Sequence, residues 1–163
     1  MSRYNITQDK SRCIACLTCE IYCKKNKNIP EGNKARPCQI VILDKRKGSN
    51  IPREAYIYMS CFHCDQPSCV ASCPTGAMTK RPEDGIVYVD YSKCVGCKAC
   101  MVACPWGAVQ WNPELFKAQK CDLCMDRIDQ GLKPVCVTVC TSGCLHFTDS
   151  DAVDNENDES EQQ

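Results

Sequence analysis

Long apolar runs are missing from this chain. No segment approaches the roughly 18 apolar residues that a membrane crossing needs. The stretch from Met1 to Lys10 is polar, without the apolar core of a secretory signal or a twin arginine. These absences predict a cytoplasmic protein with no direct membrane span. Aromatic residues make up only 7% of the chain, and there are two histidines. No Ser/His/Asp set, phosphate-cradling glycine loop or Rossmann fingerprint is present, so intrinsic catalysis is not expected. Hydrophobic residues other than cysteine make up about a third of the chain, which is thin for a self-supporting core.

Cysteine fills that gap. Eighteen occur in 163 residues, a density that signals a disulfide scaffold or metal binding. In a reducing compartment thiols persist and bind metals, and metal–thiolate bonds then supply part of the folding energy. Sixteen cysteines fall into four groups. Group one is Cys13, Cys16, Cys19 and Cys23. Group two is Cys61, Cys64, Cys69 and Cys73. Group three is Cys94, Cys97, Cys100 and Cys104. Group four is Cys121, Cys124, Cys136 and Cys140. Cys38 and Cys144 stand outside them.

Group three, followed by Pro105, spells C-x-x-C-x-x-C-x-x-x-C-P, a ligand set for a cubane iron–sulfur cluster. Three thiols at i, i+3 and i+6 wrap one cluster. The fourth points away and, in two-cluster ferredoxins, ligates the neighbouring one. Groups two and three form an internal repeat, with Cys73-Pro74-Thr75-Gly76-Ala77 paralleling Cys104-Pro105-Trp106-Gly107-Ala108. They are therefore expected to exchange their fourth thiols. Cys61, Cys64, Cys69 and Cys104 take one 4Fe-4S cluster, and Cys94, Cys97, Cys100 and Cys73 a second. Groups one and four pair around that insert. Cys13, Cys16, Cys19 and Cys140 hold the third cluster, and Cys121, Cys124, Cys136 and Cys23 the fourth. Zinc suits C-x-x-C pairs separated by long gaps, so group four alone also fits a zinc site.

Each repeat reads as a short strand (Ala55 to Met59; Ile86 to Val89), a ligand loop, a short helix around the fourth cysteine and a proline stop. Gln39 to Leu43 is another expected strand. Thr18 to Lys27 is an expected helix with Glu20 and Lys24 as an i,i+4 pair, and Asp126 to Gln130 is a helical segment ending at Gly131. Lys45 to Pro52 reads as a loop. The fold class is α+β: two bacterial-ferredoxin-like modules, one inserted in the other, with short strands, short helices and many loops. The outer module covers 1–52 and 105–148, and the inner one 53–104. Residues 149–163 form an acidic tail expected to be disordered. That tail holds seven acids and no Lys or Arg, leaving a surplus of seven positive charges elsewhere. Four oxidised clusters with their thiolates would add roughly −8, so the surplus reads as internal compensation and not as a nucleic-acid surface.

Around the ligands, His63 and His146 are expected to pack or hydrogen-bond, not to bind metal. Trp106 is expected to shield a cluster from water. Lys120 and Arg127 are candidates for offsetting cluster charge. Cys144 is the alternative to Cys140 as ligand, and Cys38 is expected to be a small buried apolar residue.

The chain resembles the four-cluster electron-transfer subunits of molybdenum and tungsten oxidoreductases, such as those of dimethyl sulfoxide reductase, polysulfide reductase and formate dehydrogenase. The likeness covers about residues 10 to 148. It rests on Cys13-Ile14-Ala15-Cys16-Leu17-Thr18-Cys19-Glu20, Cys61-Phe62-His63-Cys64-Asp65-Gln66-Pro67-Ser68-Cys69, Gly85 to Asp90, and Lys120-Cys121-Asp122-Leu123-Cys124 with Arg127, Gly131, Pro134 and Cys136. Thr141 stands where the pattern has proline. The resemblance implies a non-catalytic subunit with four 4Fe-4S clusters. It would relay electrons between a large catalytic subunit carrying a molybdenum or tungsten pterin, of the formate dehydrogenase or aldehyde oxidoreductase type or similar, and a second redox protein. A soluble cytosolic complex in anaerobic metabolism is expected. The competing readings are a free polyferredoxin serving enzymes such as hydrogenase or carbon monoxide dehydrogenase, and a zinc-rich binding module.

Overall fold

A computed structural model describes residues 3–43 and 55–150. The expected loop over Lys45 to Pro52 and the acidic residues after Ser150 lie outside the described residues. The chain order is β1 (Tyr4–Gln8), α1 (Thr18–Asn26), β2 (Gln39–Leu43), β3 (Ala55–Met59), α2 (Ser68–Ala71), β4 (Met78–Lys80), β5 (Val87–Val89), α3 (Ala99–Ala103), β6 (Gln110–Asn112), β7 (Lys117–Gln119), α4 (Met125–Ile128), α5 (Val135–Thr138) and β8 (Leu145–Asp149).

The described strands form four antiparallel ribbons of two strands each: β1 with β8, β2 with β3, β4 with β5 and β6 with β7. A lone two-stranded ribbon is marginal in water, so each must lean on something else. What they lean on is cysteine-rich. One buried cluster contains Cys19, Cys23, Cys38, Ile40, Cys136, Cys144 and Leu145, with Tyr56 and Tyr58 against it. The other contains Cys69, Met78, Val87, Cys100, Val109 and Ala118. Helix α1 packs on α5 and α2 on α3, so groups one and four meet, as do groups two and three.

The ends of the described chain meet in β1–β8, with Tyr4 opposite Asp149 and Gln8 opposite Leu145. Alternate residues of both strands turn inward, as a pleated ribbon requires. Arg3 closes it with a two-pronged ion pair to Asp149, Nε and Nη2 donating at 2.7 and 2.8 Å. Asp149, expected to begin the tail, is therefore the last residue of a strand. Gln8 stitches β1 to β3: its Oε1 accepts the Tyr58 amide at 2.8 Å and its Nε2 donates to the Tyr56 carbonyl at 3.0 Å.

Two local expectations need correction. The expected Glu20–Lys24 pair on α1 gives way to tertiary partners: buried Glu20 accepts the Ile40 amide and faces Arg36, while Lys24 Nζ reaches the Asn33 carbonyl at 2.5 Å. In the repeats, the short helices α2 and α3 carry the third cysteine, Cys69 or Cys100, and end before the fourth. The prolines at 74 and 105 fall beyond those ends, where a missing N–H does no harm.

Candidate metal centres

Each cysteine group opens with the same turn. In the first C-x-x-C of each group the second intervening residue has a left-handed backbone: Ala15 (φ 52°), His63 (46°), Gly96 (72°) and Leu123 (54°). That conformation is costly for a side-chain-bearing residue and is retained where surrounding structure demands it, often at functional sites. In groups two and four the amide of the left-handed residue faces the first thiol. The His63 N–H donates to Cys61 Sγ and the Leu123 N–H to Cys121 Sγ, both at 3.4 Å. The third cysteine of each group then sits in a short helix: Cys19 in α1, Cys69 in α2, Cys100 in α3 and Cys136 in α5. Cys23 lies one turn further along α1, and the other fourth cysteines lie just past their helix ends.

The structure brings fourth cysteines to other groups. A small cavity is lined by Cys94, Cys97 and Cys100 together with Cys73, and closed by Met78, Val89 and Ala118. Another is lined by Cys13, Cys16, Cys19, Cys140 and Cys144, and closed by Ile40 and Leu145. Burial, then the nearby Cys61 and Cys104, push the Cys69 thiol up. Burial pushes Cys136 up to about 12, with Cys23 and Cys124 adding to it, and drives fully enclosed Cys121 well above the usual range. Cys100 is raised to about 11, by burial and then by Cys73 and Cys94. Cys64 is half-buried on the group-two loop. All eighteen cysteines are free thiols. Among the described residues no three Cys, His, Asp or Glu side chains converge closely enough to grip one bare ion. The thiols of groups one and three, with Cys140 and Cys73, line cavities instead.

Donors surround the sulfurs. Met78 N–H reaches Cys73 Sγ at 3.3 Å, and the Thr18 hydroxyl reaches Cys16 Sγ at 3.3 Å. Asn26 Nδ2 reaches Cys124 Sγ at 3.7 Å, and the Tyr58 hydroxyl lies 3.3 Å from Cys136 Sγ. At Cys16 the Thr18 hydroxyl lowers the thiol pKa. At Cys73 burial raises it, but the Met78 amide and the Thr75 hydroxyl together outweigh that. These donors favour thiolate, the form that binds metal.

Lys120 is 3% exposed, and its ammonium donates to the carbonyls of Val87 and, at 2.5 Å, Cys121. Its charge acts on both Cys69 and Cys121. A buried cation needs anions nearby, so the donor set fits negatively charged iron–sulfur groups. Arg127, the other cation considered, turns away: its Nε donates to the Lys133 carbonyl at 2.9 Å. Lys27 takes that role beside group four, pairing with Asp122 at 2.7 Å near Cys124.

His63 is buried and His146 exposed. Cys38 is 1% exposed as expected, and its thiol also hydrogen-bonds toward Cys19 and Cys23, lowering both. Cys144 Sγ lies 3.5 Å from Cys140 Sγ. Trp106 does not form the expected buried shield. It is 55% exposed and meets exposed Phe62 edge-on, ring centroids 5.1 Å apart. Sequence reasoning missed Asn26, Tyr58, Thr18 and Lys27 as donors. It also passed over the one available clue to the shared turn, Gly96 in group three at the position of Ala15, His63 and Leu123.

The profile of the 4Fe-4S dicluster domain family matches residues 52–150. Over 151 residues the chain is 40% identical to one chain of the anaerobic dimethyl sulfoxide reductase of Escherichia coli, covering 90% of this chain and 73% of that protein. It is 39% identical over 148 residues to the thiosulfate reductase electron transfer subunit of Salmonella typhi, covering 90% and 76%. With one subunit of the sulfite dehydrogenase of Allochromatium vinosum it shares 33% over 180 residues, covering 96% and 72%.

Proposed function

Because this chain is a member of the 4Fe-4S dicluster family of electron-transfer subunits, we propose that its sixteen grouped cysteines hold four 4Fe-4S clusters in two interleaved ferredoxin-like modules. The observation that carries this reading is the cavity where Cys73 of group two joins Cys94, Cys97 and Cys100 of group three. The other sets are Cys61, Cys64, Cys69 with Cys104; Cys13, Cys16, Cys19 with Cys140; and Cys121, Cys124, Cys136 with Cys23. Proximity of Cys69 to Cys104, of Cys19 to Cys140 and of Cys23 to Cys121 supports them. In place of the bounds 53–104 expected from the sequence, we propose an inner module from Ser60 to Gln119, since Tyr56 and Tyr58 pack with the outer core while Val109 and Ala118 pack with the inner one.

When bound, each cluster takes up and releases one electron at a time. The polypeptide holds the sulfurs, keeps water from them and sets the local charge. Ile40, Leu145, Met78, Val89 and Ala118 wall the thiol cavities with apolar surface. Amide and hydroxyl donors on the sulfurs, and buried Lys120 between groups two and four, favour the reduced form. The partner is a catalytic subunit acting on a small sulfur compound, as the names of the similar proteins suggest, and the family resemblance implies that it carries a molybdenum pterin; a formate or aldehyde enzyme draws no support from those names. The chain passes electrons between that partner and a second redox protein.

Anaerobic purification with native partners tests this. The expected result is brown protein with iron and labile sulfide sufficient for four clusters, co-purifying with a large pterin-containing chain. A protein that carries the clusters but never associates with such a chain is a free carrier. Zinc in place of iron and sulfide rejects the reading altogether.

A further inference from the structure

His63 has one nitrogen accounted for and one not. The ring is 2% exposed. Its Nδ1 accepts the Val87 amide at 2.9 Å, which places the ring proton on Nε2. Among the described residues Nε2 has no hydrogen-bond partner. A buried N–H without an acceptor is costly enough to be rare, and the neighbouring Lys120 ammonium is itself a donor that cannot accept. In sequence His63 stands between Cys61 and Cys64, and its backbone amide already donates to Cys61 Sγ.

On the ligand sets proposed above, we propose that His63 donates its Nε2–H to an inorganic sulfide of the cluster held by Cys61, Cys64, Cys69 and Cys104. A hydrogen bond to sulfur stabilises the more negative, reduced state, so His63 raises the potential of that one cluster. Val87 clamps the device. Its N–H orients the imidazole, and its carbonyl holds Lys120, whose charge reaches Cys69 and Cys121. His63 thus tunes the cluster beside the junction between groups two and four.

The chain has only two histidines, and His146 is exposed on β8, so isotopic labelling is selective. The protein in its native complex, grown with 15N-histidine and reduced, is examined by pulsed electron paramagnetic resonance. The expected result is a hyperfine coupling to one histidine nitrogen that persists in His146→Asn and vanishes in His63→Leu. In a reductive titration of His63→Leu, one of the four steps moves to more negative potential with iron and sulfide unchanged, and His63→Gln, which keeps an N–H, moves it less. Reduced clusters without histidine coupling in the unmutated protein overturn the inference. The Nε2 acceptor is then water in the crevice of about 60 Å³ lined by Tyr58, Ser60, His63 and Leu123. A preparation lacking iron and labile sulfide defeats the ligand-set reading itself, which separates the two failures.

Discussion

Lys120 is the residue whose burial most needs an explanation. Its hydrogen bonds go to two carbonyls, so its charge must be balanced by anions beyond them. Lys120→Met removes the charge and keeps most of the volume. The reduction potentials of the clusters at groups two and four should both fall, because a nearby cation stabilises the added electron. Lys120→Arg should restore them in part, and redox titration followed by electron paramagnetic resonance reads both. Gly96 gives a second prediction. Ala15 and Leu123 show that the left-handed turn accepts side chains, so the backbone angle alone does not exclude alanine at 96. Space does: a Cβ there would lie 2.5 Å from the Phe116 carbonyl and 3.2 Å from the Trp111 ring. Gly96→Ala should therefore cost about 2 kcal/mol by overpacking, whereas Ala15→Gly should change the thermal midpoint little, relieved strain and added chain entropy offsetting each other. The thiols themselves predict a pH dependence. With Cys136 raised to about 12 and Cys100 to about 11, the metal-free protein holds these protons at neutral pH. Ligation must release them, so iron and sulfide uptake during anaerobic reconstitution should fall as pH drops from about 8.5 to 6.5.

At the scale of elements, short ribbons are held by polar ties that the cysteine pattern does not contain. Asn112 at the end of β6 is buried. Its Oδ1 accepts from Asn33 at 2.9 Å and from the amides of Glu114 and Leu115 at 3.1 and 3.3 Å, while its Nδ2 donates to Gln119 at 3.1 Å. One side chain thus caps the β6–β7 turn and fastens it to the loop after α1. Asn112→Ala takes a hydrogen-bond partner from buried Asn33 and buried Gln119 and should destabilise the protein by about 2 kcal/mol, measurable by anaerobic thermal unfolding. A second tie joins β4 to α4, where Arg81 bonds Asp129 through both terminal nitrogens at 3.0 and 2.9 Å. Helix α1 and strands β2 and β3 could be read beforehand, since an apolar run with β-branched residues is a local signal. The β6–β7 hairpin could not, because Gln110-Trp111-Asn112 and Lys117-Ala118-Gln119 carry no β-branched apolar run.

Across the whole molecule the critical prediction is the exchange of fourth thiols. Cys73→Ala should damage the cluster of Cys94, Cys97 and Cys100 and spare that of Cys61, Cys64 and Cys69. Loss confined to the latter site, seen as the wrong signal disappearing, would overturn the assignment. The spacing of sixteen cysteines, with a proline after two of the groups, was enough by itself to indicate iron–sulfur chemistry, because a cubane demands several thiols within a short reach of chain. The lack of a catalytic motif, together with the family resemblance, indicated an electron carrier and not a catalyst. Only the tertiary structure joined Tyr4–Gln8 to Leu145–Asp149, buried Lys120 and His63 on either side of Val87, and exposed Trp106. The division has one physical cause. Ligand type and spacing are properties of a single stretch of chain, whereas burial, unpaired donors and shared cavities exist only once distant stretches have met.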